Sequence, residues 1–402
     1  MTKDDVKAIC RTFGQVVDRD SARNHPELLL FLTQMFYEQF PFQENELHSL
    51  ARSVALVQSS LHGRTSGYGL ESMVNEVLGC TIEQAIGSAL VLHALAISHD
   101  GRVDAPLGEV KHAYVWDQVH VTAFEATKER LSATAIEMRA HAATLDTLGP
   151  SLQRFAFNPL HRTPILKADG LLLAPVPVLI LHALTPNGLY YAGIERCGQE
   201  LSNALGHVIE EYVGQQLRLI DDAEVYEEVE YRSGSATVKS ADYLVILPRT
   251  VLVVESKSAR LRLPDKAGSE TLQDQMEKTL GKANKQIGVN ISALADGLLG
   301  QPTWPDRRVG MIVTAEPFYL GNATLVGGSV GQSNVPTIVA SLDDLEQLVT
   351  LPAAEVEAIL DRVLGDREES TYYLGTVLRE RVEDSNPILD QAWERLPFSR
   401  EQ

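Results

Sequence analysis

Cysteine is scarce in this chain: Cys10, Cys80 and Cys197 are the three in 402 residues, far apart and without CxxC spacing. That excludes a disulfide framework and a cysteine-based zinc site, and an odd, sparse count suits a reducing cytoplasm. Each thiol reads as a small buried hydrophobe. The eleven histidines form no HExxH; His99, His112 and His120 are scattered, and His93 sits within an apolar run as a core residue would. Residues 281–288 (GKANKQIG) lack the GxxxxGK[ST] order, which excludes a phosphate loop. Long apolar runs are missing too. The longest, 85–97 and 171–184, fall short of the roughly 18 residues that span a bilayer, and Pro175 and Pro177 interrupt the second. Met1–Asp5 carries no signal-peptide apolar segment. A cytoplasmic protein with no membrane partner is expected. Positive charge is also in deficit: 35 Lys and Arg stand against 54 Asp and Glu, a net charge of −19. This argues against non-specific coating of nucleic acid, so any nucleic-acid site must be a local basic patch on an acidic body.

A 44% hydrophobic content is ordinary for globular chains, and the length suggests two or three domains. Residues 1–148 read as a helical N-terminal domain. Pro26 opens a candidate helix over 26–40. Thr81-Ile82-Glu83-Gln84 is a capping box before an apolar helix that stops at 98–101, and a longer amphipathic helix is expected over 116–145, ended by Gly149-Pro150. Residues 149–200 read as a bridging β-rich segment. Its run 171–180 suits an irregular strand because it holds two prolines, and Pro186-Asn187-Gly188 signals a turn. Residues 201–330 then follow the order αβββαβ: a helix over 202–220, a strand over 224–231, a hairpin over 242–258, a helix over 271–294 and a strand over 308–315. A Gly-, Ser- and Asn-rich loop over 321–334 comes next. The extension 331–402 contributes a strand over 337–340, a helix capped by Ser341 and another over 353–364.

The hairpin carries the most specific signal. Two β-prone runs flank Pro248-Arg249, so Leu247 pairs with Thr250 and antiparallel partners have numbers summing to 497. Asp242 and Glu255 also sum to 497 and are expected to face each other. Opposed side chains have Cβ atoms about 4.5–5.5 Å apart, where like charges destabilise the sheet. Two carboxylates there call for a cation. Lys257, two residues past Glu255, shares its face. Two hard oxygen ligands beside an ammonium group suit a magnesium site that handles phosphate.

Neighbouring segments add candidates. Glu210, or its rival Glu211, lies on the preceding helix and either reaches the site or is a solvated helix charge. Lys278, Lys282 and Gln286 recur at intervals of four with Lys285 beside them, as a phosphate-binding and water-orienting stripe or an ordinary charged face. Residues 257–285 hold seven basic residues, Arg260 and Arg262 among them, against four acidic ones. This positive island suits backbone phosphates. The acidic run 221–230 cuts the other way, and strand alternation sends Glu224, Glu228 and Glu230 to solvent.

These residues resemble the PD-(D/E)XK, restriction-endonuclease-like, nuclease superfamily over about residues 200–318. Asp242 matches the acidic residue opening the family's second core strand, Glu255-Ser256-Lys257 its E-x-K, Glu210 the acidic residue of its first helix and Gln286 a glutamine often found on the later helix. Ala241 stands where the family nominally has proline. The resemblance implies an α+β, α/β-type architecture: a helical N-terminal region, a restriction-endonuclease-like αβββαβ core and a small helical C-terminal tail. It implies Mg²⁺ or Mn²⁺ held by Asp242 and Glu255 with Glu210, and Lys257 acting on the attacking water and the developing phosphorane charge. Lys278, Lys282, Lys285, Arg260 and Arg262 would contact nucleic acid, DNA rather than RNA, because no aromatic-rich basic motif favours RNA. The expected activity is endonucleolytic, of the kind that serves anti-phage defence or restriction. The N-terminal region would then hold a regulatory partner or a homo-oligomer. The alternative is a non-catalytic nucleic-acid-binding or assembly module on the same scaffold.

Overall fold

Thr81 accepts a hydrogen bond from Gln84 N while the Gln84 side chain accepts one from Thr81 N, so a reciprocal cap opens an apolar helix. In the computed structural model this is one of several helices in the N-terminal half: α1 (Glu46–Ser59), α2 (Leu70–Leu78), α3 (Ile82–Ser98), α4 (Ala113–Gln118) and α5 (Val121–Arg130). The structure describes residues 45–61, 67–104, 113–145, 158–261, 263–266, 271–300, 303–326, 335–378 and 385–398, with a few isolated positions besides. The helix expected over 26–40 lies almost wholly outside them. The apolar stretch 70–98 has the length and composition of a membrane span. It is instead two helices broken at Gly79, with Leu70, Ile82, Ile86 and Leu92 in the protein core.

The single helix expected over 116–145 is interrupted. His120 restarts the chain as α5, and β1 (Ser132–Thr134) precedes α6 (Ala135–Leu145). Ser132 pairs in parallel with Ile165 of β2 (Ile165–Ala168), which pairs antiparallel with β3 (Leu171–Leu173). Ladder bonding overrides the helical periodicity there, and the Glu137 carboxylate accepts Thr134 N to start α6. The irregular strand expected over 171–180 ends at Leu173 and gives way to α7 (Val178–His182). The turn expected at 186–188 is instead the start of a long helix, α8 (Pro186–Leu217): Thr185 caps Gly188 N and Pro186 occupies the first turn, where a missing N–H costs nothing. Gly198 (φ 57°, ψ −138°) kinks α8 into two segments.

Beyond α8 lie β4 (Glu224–Glu227), a separate hairpin β5 (Glu230–Ser233) and β6 (Ala236–Lys239), then β7 (Tyr243–Ile246) and β8 (Thr250–Lys257). The strand expected over 224–231 is therefore two strands that diverge at Glu228. After α9 (Leu263–Lys266), α10 (Leu272–Met276) runs through a π-helical turn at Glu277–Gly281 into α11 (Lys282–Ala295). The remainder comprises β9 (Arg307–Thr314), α12 (Gly321–Val326), β10 (Thr337–Ser341), α13 (Leu342–Leu348), α14 (Ala353–Gly365), α15 (Leu374–Leu378) and α16 (Pro387–Trp393). The loop expected over 321–334 thus begins as a helix.

The architecture is mixed α+β around a five-stranded sheet of order β10-β9-β8-β7-β4. β7 is antiparallel to both neighbours, and β8, β9 and β10 are parallel. Fully buried Val251–Val254 make β8 the central strand, since an apolar run without polar alternation must be covered on both faces. Leu252 and Val254 join a core with Tyr212 and Val213 of α8 and with α13 and α14. Val251 and Val253 join a second core with Leu280, Ala283 and Ile287 of the α10–α11 layer. The first core extends from Leu50 in α1 to Leu396 after α16.

Candidate metal and phosphate site

Leu247 N donates to Thr250 O at 2.9 Å, closing the turn at Pro248-Arg249. Glu357 of α14, buried, accepts from Arg249 N and Thr250 Oγ1 and pins the turn. The ladder then runs Ile246–Val251, Val245–Leu252, Leu244–Val253 and Tyr243–Val254, every pair summing to 497. Asp242 and Glu255 are the next pair outward. Asp242 lies in a bend just beyond the ladder, so it is not held as a regular cross-strand partner. Its Oδ2 accepts from both Ser256 N and Ser256 Oγ at 2.7 Å.

Glu255 is only 2% exposed. By alternation it shares the α10–α11 face with Val251 and Val253. Its Oε2 accepts from Lys257 Nζ at 2.8 Å, the same-face partner two residues on. Burial pushes the Glu255 carboxyl up to about 7, and the negative charge of Asp242 adds to that. Lys257 opposes the rise, and Glu228 reinforces it. At the carboxyl end of the central strand Lys257 thus bonds Glu255, with Asp242 near enough for its charge to act on Glu255.

Gln286 lies on α11 over the same face. Asn284 accepts from Thr337 Oγ1 on the β10 side. Two residues on, about 200° around the helix, Gln286 lies on the opposite flank from Asn284. Its Oε1 is buried and has no hydrogen-bond partner among the described residues. A buried acceptor left so is costly and calls for a donor or a cation.

A π-helical turn over Glu277–Gly281 lies within the stretch that carries the lysine stripe. Lys278, Lys282 and Lys285 are exposed, and Lys285 pairs with Glu277 at 2.6 Å. Arg260 is turned inward: its guanidinium stacks 4.2 Å from the Tyr190 ring centroid, and Nε donates to Asn187. Burial holds its pKa below the ordinary arginine value. Arg262 lies outside the described residues.

Glu210 sits between two close approaches of α8 to the strand ends. A Cβ on Gly206 would lie 3.5 Å from Ser258 Oγ, and one on Gly214 would lie 2.3 Å from Tyr243 Oη. Positions 206, 210 and 214 share one helix face. Tyr243 Oη donates to Glu210 O at 3.1 Å. Both Glu210 and Glu211 are half-buried, and both charges act on Tyr243. The α8 layer covers the opposite sheet face from Glu255. Among the described residues no group of three or more His, Cys, Asp or Glu side chains is gathered to hold a metal. Asp242 and Glu255 alone still fit a hard divalent cation, because Mg²⁺ keeps several waters and needs only one or two carboxylates.

Two acidic residues escaped sequence reasoning. Glu228, expected at a solvent face, is half-buried where β4 and β5 diverge, bonded to Lys239 at 2.7 Å and close enough to act on Glu255. Glu224 and Glu230 are exposed as expected. Glu316, just past β9, is buried, accepts from Leu261 N and pairs with Lys266 at 2.6 Å. The break in strand pairing at Glu228 leaves no local sequence signal. Comparison of the chain with known protein families, with characterised proteins and with solved structures finds no match.

Proposed function

We propose that the chain is a cytoplasmic Mg²⁺-dependent nuclease of PD-(D/E)XK type that hydrolyses phosphodiester bonds of DNA, in a restriction or anti-phage role. The carrying observation is Glu255, buried beside a second carboxylate and an ammonium group at the end of the central strand. Such a grouping is costly in a metal-free protein. The order α8, β4, β7, β8, α10–α11, β9, with three antiparallel strands and a fourth parallel to the third, supports the resemblance. The β5–β6 hairpin and β10 are additions to it.

Asp242 and Glu255 would hold the ion, which when bound supplies Lewis acidity and a more acidic water. Gln286 Oε1 would orient a water by accepting a hydrogen bond from it. Lys257 stabilises charge developing on the attacked phosphate. Exposed Lys278, Lys282 and Lys285 offer backbone contacts whose contribution falls steeply with salt.

The test is plasmid incubation with Mg²⁺ or Mn²⁺, repeated with EDTA and with Lys257→Ala. Cleavage is expected, lost in EDTA and reduced about 100-fold or more in the variant. DNA bound but never cut with either metal would favour a non-catalytic binding module. Cleavage that survives Lys257→Ala would overturn the assignment.

A further inference from the structure

A charged recess lies among elements other than the five-stranded sheet. It is a cleft of about 610 Å³ between the end of α5, β1, α6, β2 and the first segment of α8. That volume is within the usual range for small-molecule sites and far larger than one ion needs. Four cationic side chains line it, Arg130, Arg162, Lys167 and Arg196, in a protein whose overall charge is −19.

The carboxylates in the cleft are already engaged. Glu195 pairs with Arg162 at 2.7 Å, Glu129 with Lys167 at 2.5 Å, and Glu137 accepts from Thr134 N and Oγ1. Arg196 pairs with Glu76 outside the lining. Arg130 differs. Its Nε donates to Val77 O at 2.9 Å, and no carboxylate meets its guanidinium among the described residues. Burial, then the charge of Arg162, lowers its pKa to about 10. A half-buried guanidinium without a counter-ion, next to a second one, is destabilising until an anion arrives. The planar fork of arginine suits phosphate or carboxylate oxygens. Val77, Ala133, Met138 and Ala192 add apolar surface for the rest of a ligand.

We propose that this cleft binds a metabolite-sized oxyanion, with Arg130 as the main anchor and Arg162 as its neighbour. The assignment does not rest on the nuclease reading. The test uses the full chain in EDTA, so that the carboxylate site cannot recruit a metal-bound phosphate. Pyrophosphate, ATP and citrate are each titrated at millimolar concentration, with thermal stability and calorimetry as readouts. Saturable binding of at least one is expected; a response to pyrophosphate or ATP but not citrate identifies the phosphoryl group, and the reverse identifies carboxylate. Arg130→Gln and Arg162→Gln should each weaken binding about tenfold or more, while Lys257→Ala leaves it unchanged. Circular dichroism checks that each variant folds, and Arg162→Gln serves if Arg130→Gln does not. No saturable binding by any probe, or equal binding in a folded arginine variant, overturns the proposal.

Discussion

Burial and a neighbouring negative charge act in the same direction on Glu255, whose carboxyl sits at about 7 against an ordinary 4.5. Between those values the folded, metal-free protein binds more protons than the unfolded chain. Stability therefore falls as pH rises through this window and is flat above it, so far as this group is concerned. Glu255→Gln removes the penalty and keeps an acceptor for Lys257. The variant should be more stable than the parent above pH 7, by about 3 kcal/mol at most, and equal to it near pH 4. Denaturant melts of both proteins in EDTA across that range check this. Asp344 is also raised to about 7 by burial, which is why the difference between the two proteins is the informative quantity. Equal slopes would mean that Glu255 ionises normally. At this scale part of the sequence was legible: Glu255 and Lys257 share a face by period two, and the turn at Pro248-Arg249 set a ladder that stops at Tyr243–Val254, one residue short of Asp242. The orphaned Gln286 oxygen was not legible, because it depends on which flank of a packed helix faces which strand.

The elements are joined by close backbone approaches. Gly198 adopts φ 57° and ψ −138°, a conformation that L side chains avoid. A Cβ there would meet nothing within 4 Å, so only backbone strain opposes it. Gly198→Ala should cost about 1–3 kcal/mol in urea unfolding, with the native fold retained. Gly214 makes the opposite case, since its neighbourhood is full: the Tyr243 hydroxyl would lie 2.3 Å from an added Cβ. Helix caps and strand alternation were readable because each depends on residues a few positions apart. The misread elements were those where a distant partner decided. Ser132–Thr134 is a strand because Ile165–Lys167 lies alongside it, and 224–231 divides because β4 joins β7 while β5 turns to β6.

The whole molecule is tied by one buried polar network. Arg52 of α1 donates to both oxygens of Glu346 at 2.6 Å and to Asp343 at 2.7 Å. Tyr212 of α8 donates to Glu346, Gln216 to Tyr212, and Asn386, the cap of α16, to Gln216 and to Glu346 O. The network joins an N-terminal helix, the helix beneath the sheet and the C-terminal segment. Arg52→Ala leaves Glu346 buried without a counter-ion and should cost about 3–5 kcal/mol. The double variant Arg52→Met, Glu346→Leu should recover most of that, because well-packed apolar groups commonly replace a buried pair without loss. Chemical denaturation checks both. A single Arg52→Ala variant as stable as the parent would show that Glu346 is solvated or neutral.

The chain by itself determined the hairpin register, the shared face of Glu255 and Lys257, and the caps at Thr81 and Ser341. These follow from turn chemistry and from the fixed periods of strand and helix, which act over a few residues. Tertiary packing alone decided that Glu228 comes within reach of Glu255, and that Arg130 lines a cleft where no carboxylate meets its guanidinium among the described residues. Those depend on how separate segments meet, and no local pattern encodes the distance between side chains that sit dozens of residues apart.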